Sequence, residues 1–113
     1  MAKVEIVESL YEEIVKKFKQ KAWDIIDLMQ ELEGSPKKGK MLGTVGGIVI
    51  KELKYESFRF YFVADGFKLK FLKEEELTDL LIRFVRMSDK KHQQKTIDEI
   101  KQILTKIGPH GFA

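Results

Sequence analysis

Between Ile48 and Leu72 the polar residues fall into a pattern suited to handling a phosphodiester. The stretch reads IVIKELKYESFRFYFVADGFKLKFL, and apolar and polar residues alternate in it as they do along a strand. Asp65-Gly66 is a two-residue turn signal, because a primed turn needs positive φ and glycine supplies it without strain. A turn there sets Phe62 against Leu69, Phe60 against Phe71, Tyr61 against Lys70 and Val63 against Lys68. A second tight turn at Glu56-Ser57 sets Tyr55 against Phe58, Leu53 against Phe60, and Lys54 against Arg59. One face then collects Leu53, Tyr55, Phe58, Phe60, Phe62, Leu69 and Phe71. The other collects Glu52, Lys54, Arg59, Tyr61, Lys68 and Lys70. Cations on a flat surface suit a phosphate backbone, and an aromatic ring among them suits an unstacked base. The same pattern also serves a solvated face whose lysines keep an antiparallel sheet soluble.

The elements that must hold this stretch are legible on either side of it. Lys3 to Val7 is short and β-branched, an edge strand by pattern. Ser9 to Glu12 has capping-box spacing and should open a helix. Leu10, Ile14, Phe18, Ala22, Ile25, Met29 and Leu32 then recur at three- and four-residue steps, the apolar stripe of one long helix. Gly34 and Pro36 end it. Residues 34–47, GSPKKGKMLGTVGG, form a glycine-rich connection with Lys37, Lys38 and Lys40 in water. Gly34 to Lys40 has the spacing of a phosphate loop. Met41 stands where Ser or Thr should hold magnesium, and the strand–loop–helix context is missing. Asp79 to Met87 fits a helix or a strand, and its β-branched and aromatic content favours the strand. Ser88 to His92 reads as a turn and Thr96 to Ile107 as a closing helix, ended by Gly108-Pro109. The expectation is one α+β domain over residues 1–113. A small antiparallel meander would span residues 48–87, with the long N-terminal helix across its apolar face and a helix at the C-terminus.

Composition narrows the chemistry. The chain has 113 residues and a formal net charge of +3, which permits nucleic-acid binding without demanding it. With no cysteine, disulfides, thiol catalysis and cysteine zinc sites are excluded. His92 and His110 are too few and too far apart in sequence for a metal site, and nothing calls for a cofactor. No apolar run approaches the ~18 residues of a membrane span, and the start lacks a signal-peptide core. The cytoplasm is the expected location.

Glu52-Leu53-Lys54, then Phe58-Arg59-Phe60-Tyr61, then Asp65-Gly66 resembles the RelE/HigB toxin family, in particular its phage-derived HigB-like branch. The pattern of that branch is E-L-R, Y-R-x-x-Y and a D-G turn, followed by L-L-x-x-F-x-K-K and a closing helix. Leu80 to Arg86, with Ser88 and the pair Lys90-Lys91 after it, is similar to that continuation. The resemblance covers roughly residues 47 to 104. It implies a compact RelE/ParE-like fold and a metal-independent endoribonuclease that cleaves ribosome-bound messenger RNA, held in check by a small antitoxin protein. By position Arg59 would bind the phosphate, assisted by Lys54 and Arg86. Tyr61 would stack a base or donate a proton, and Glu52 or His92 would act as base. Lys68, Lys70, Lys90 and Lys91 would contact RNA. The chain departs from the pattern at Lys54, which replaces a forked arginine, and at Met87, which replaces the second lysine. A Thr-Pro element before the last helix is missing, and so is a terminal acid/base group. These departures fit the alternative of a fold relative that binds RNA, DNA or a protein through the same face without cleaving.

Overall fold

The structure is a computed structural model that describes residues 1–112. Its elements are β1 (Lys3–Ile6), α1 (Glu8–Phe18), α2 (Ala22–Gln30), β2 (Lys40–Val45), β3 (Ile48–Tyr55), β4 (Phe58–Asp65), α3 (Gly66–Phe71), β5 (Leu81–Asp89) and α4 (Gln93–Lys106), with short 3-10 turns between some of them. The class is α+β, as expected. The strands form one five-stranded sheet in the order β1-β5-β4-β3-β2. Strands β2 to β5 pair antiparallel, and β1 joins β5 in parallel. The sheet is therefore mixed and wider than the antiparallel meander read from residues 48–87. Among the described residues no helix is long and apolar enough to cross a membrane.

The β3–β4 hairpin has the register that its sequence implies. Tyr55 faces Phe58, Leu53 faces Phe60, and Lys54 faces Arg59. Glu56 takes φ +54° at the turn. Leu53, Phe60 and Phe62 are buried on one face, against α1 and α2. The Phe18 ring at the end of α1 meets Phe58 edge-on at 5.0 Å. Residues 79–87 hold a strand, since β5 begins at Leu81. Its Phe84 ring lies 4.9 Å from that of Phe62.

Four local expectations fail for physical reasons. The Asp65-Gly66 hairpin is absent. Asp65 instead caps α3, its carboxylate accepting from the Lys68 amide at 3.1 Å. Leu69 and Phe71 therefore leave the sheet, and Phe71 is 61% exposed. Asp is as good an N-cap as it is a turn former, and space decides between the two uses. A Cβ at Gly66 would lie 2.8 Å from the Gly47 carbonyl oxygen, which accepts the Gly66 amide, and 2.8 Å from Val49 Cγ1. The chain is pressed against the start of β3 and lifts away as a helix.

The second failure is at Ser9, which is no cap. The helix begins at Glu8, with Val7 as its uncapped N-cap. Val7 is still bound to the sheet through its amide to Phe84 O, so β1 passes into α1 with no residue to spare. The third is the long helix, which breaks in two at Lys19. That residue has φ +53° and begins a 3-10 turn to Lys21. The last helix also starts earlier than Thr96, at Gln93, because Asp89 accepts the His92 amide at 2.9 Å.

Candidate functional site

Alternation along β3, β4 and β5 puts Glu52, Lys54, Arg59, Tyr61, Arg86 and Ser88 on one side of the sheet. This is the face read as basic, but α4 packs on it. Ile100 and Leu104 are buried there, and Gly43 of β2 lies beside the Lys101 chain. The face is therefore largely an interior one, and its polar residues are paired. Tyr61 is fully buried, with its hydroxyl 2.7 Å from Ser88 Oγ. Burial pushes its pKa above the usual phenol value, against the opposing pull of the Ser88 hydrogen bond. A ring so enclosed cannot stack a base. Arg86 donates from Nε to Glu99 of α4 at 2.6 Å and stands over the Phe112 ring at 5.2 Å. It ties the last helix to the sheet.

Arg59 is 8% exposed and Glu52 9%. Arg59 Nε lies 3.7 Å from Glu52 Oε2, and its Nη1 donates to Ser57 O at 3.0 Å. The expected face with Lys54, Arg59, Lys68 and Lys70 side by side in water is therefore not present. Arg59 has a carboxylate neighbour, and Lys70 lies elsewhere.

What remains open lies at the edge of β3. The β2–β3 pairing ends at Lys40 with Glu52, so Leu53 to Tyr55 have no strand beyond them. A cleft of about 540 Å³ forms there. Lys38, Lys40, Lys54 and Arg59 line it, with Glu52 and Gln93. Four cations thus face one carboxylate, which Arg59 already engages. Lys38, Lys40 and Lys54 are exposed, and among the described residues none forms an ion pair. Gly39, between Lys38 and the first residue of β2, Lys40, fixes the path of the chain. It has φ +105°, and a Cβ there would come within 2.8 Å of the Phe62 ring, so no other residue fits both the conformation and the space. Reading the glycine-rich segment as a connection in water missed these lysines. The signal was Lys38-Gly39-Lys40 at the entry to a strand.

The other expected residues do not converge on the cleft. Lys68 and Lys70 follow the far end of β4, six residues from Arg59, or roughly 20 Å along an extended strand. Lys68 Nζ lies 3.4 Å from Asp79, and Lys70 Nζ lies over the Phe71 ring at 5.4 Å. Lys90 and Lys91 are exposed between β5 and α4. His92 is exposed beside Asp89, with Nδ1 2.8 Å from the carboxylate. That side-chain hydrogen bond, with the backbone one beside it, holds the Asp89 carboxyl below its usual range. Among the described residues no cluster of His, Asp and Glu could hold a metal ion. No protein-family model, curated protein or solved structure matches the chain.

Proposed function

We propose that the chain is a non-catalytic nucleic-acid-binding module of RelE/ParE-like fold, which takes a single-stranded RNA segment into the cleft at the edge of β3. The observation that carries this reading is the group of exposed lysines, Lys38, Lys40 and Lys54, none with a carboxylate partner among the described residues, around the Arg59–Glu52 pair. Such a group attracts a chain of phosphates by releasing its counterions. The pairing of Tyr61 with Ser88 and of His92 with Asp89 supports binding over cleavage, since neither group is free and facing the cleft. The cytoplasm, where RNA is at hand, is the compartment this role implies.

A second reading, the endoribonuclease toxin with its antitoxin, is favoured by one observation. A carboxylate and a guanidinium, Glu52 and Arg59, line the same cleft, and ribonuclease chemistry needs a base and a phosphorane cation. One experiment separates the two readings. A labelled single-stranded RNA is titrated with protein at low salt, followed by anisotropy, and the same RNA, free and bound to ribosomes, is then incubated with protein and run on a denaturing gel. Binding with intact RNA is expected. New 3′ ends that vanish in Glu52→Gln would establish the nuclease. No binding at low salt would overturn the first reading, and the absence of cleavage on ribosomes as well would overturn both.

A further inference from the structure

The opposite side of the sheet holds a second cleft of different chemistry. Here α3 leaves part of β2 and β3 uncovered, over about 610 Å³. Met41, Val49, Phe67 and Leu69 supply apolar walls, and Lys37, Lys51 and Lys70 supply the charge. Volumes of this size are typical of small-molecule sites, about 300–1,000 Å³. Gly66 brings the first turn of α3 directly against Val49, which fixes one wall. Phe67 is 67% exposed, and its ring lies 4.8 Å from that of Phe71.

Lys51 is the unusual group. It sits in mid-strand, 6% exposed, with its ammonium 6.0 Å from the Phe62 ring centroid. An ammonium has three N–H donors. One of them reaches Lys37 O at 2.8 Å, and among the described residues no carboxylate lies within ion-pair distance. Burial lowers its pKa from the ordinary amine value. A buried cation without a counterion is costly, and one backbone carbonyl offsets only part of that cost. A group that suits both the ammonium and the apolar walls is an anion joined to an apolar body.

We propose that this cleft binds an apolar carboxylate, of the class of a medium-chain fatty acid. Its carboxylate pairs with Lys51, and its chain lies between Val49, Leu69 and Phe67. The site is separate from the lysine cleft at the edge of β3 and does not depend on RNA binding.

The test uses decanoate, below its micelle concentration, titrated into the isotope-labelled full chain and followed by amide shifts. Shifts centred on Val49, Lys51, Gly66 and Leu69 are expected. Decanol, with the same chain and no charge, should bind at least about tenfold more weakly, and so should decanoate to Lys51→Met. Lys54→Ala should bind decanoate as wild type does. Equal affinity for decanoate and decanol, unchanged binding by a folded Lys51→Met, or no decanoate shifts in this cleft would each overturn the proposal. The decanol comparison is made on wild type, so it stands even if Lys51→Met fails to fold.

Discussion

Arg59 and Glu52 show how far one pairing alters what a residue does. A strand-face arginine in water can usually be replaced within about ±0.5 kcal/mol, and alternation alone puts Arg59 in that category. In the fold it is buried beside Glu52. Arg59→Ala leaves the carboxylate buried without its cation, a loss of about 3–5 kcal/mol, to be read from the denaturant midpoint. Arg59→Met with Glu52→Gln removes both charges together and should recover most of the loss. If Arg59→Ala unfolds at the wild-type midpoint, the pair is solvated and the guanidinium is free for a phosphate. Tyr61 makes a prediction in pH. Its folded pKa is raised above 10.0, so the native state keeps the proton longer than the unfolded chain does. The contribution of Tyr61 to stability is full below pH ~10 and falls as pH rises from there toward the folded pKa. Tyr61→Phe removes that dependence and, below pH ~10, costs on the order of 1 kcal/mol for the lost Ser88 hydrogen bond. Lys51, whose folded pKa is depressed, has the opposite slope near the same pH. The comparison of Tyr61→Phe with wild type therefore isolates the tyrosine.

At the scale of elements, the sequence is readable where two signals agree and opaque where one signal has two uses. The β3–β4 register follows from alternation and a two-residue gap, and both point the same way. The same stretch does not disclose α3, because Asp-Gly opens a hairpin or caps a helix with equal ease, and FKLKFL alternates like a strand. The close approach of Gly66 to Gly47 and Val49 decides it, and those contacts come from the other end of β3. Strand β2 is hidden in a glycine-rich segment, and KMLGTV is short and interrupted by glycine. It is a strand because β3 offers an edge, with a bulge between Met41 and Gly43. The loop before it carries the next prediction. Gly39→Ala forces a Cβ into the Phe62 ring at a left-handed φ and should cost about 1–3 kcal/mol. It should also weaken RNA binding by moving Lys38 and Lys40. A variant of wild-type stability and affinity would mean that this loop does not set the cleft. At the β3–β4 turn, Glu56 takes φ +54° and bears the cost of a left-handed residue with a Cβ, so Glu56→Gly should stabilise the fold by up to about 1 kcal/mol, read as a higher melting midpoint.

For the whole molecule, both faces of the sheet are used, and this is what alternation could not show. A polar-alternating strand is ordinarily wet on one side. Here the C-terminal helix returns over that side and makes an interior of it, with Arg86 bonded to Glu99. Of the residues singled out by resemblance, Glu52, Lys54, Arg59, Tyr61 and Arg86 lie on that side, and all but Lys54 are engaged within the fold, while Lys68, Lys70, Lys90, Lys91 and His92 lie elsewhere. The open charge has moved to the edge, onto lysines from a loop and from the end of β3. The central claim is that these lysines bind phosphates, and the salt dependence of RNA affinity tests it most directly. Each single-strand phosphate contact contributes about 0.7 to the log–log slope. Replacing Lys38, Lys40 and Lys54 together by alanine should flatten the slope by about 2, with the melting midpoint unchanged. An unaltered slope, or a wild-type protein that does not bind RNA at low salt, would contradict the account.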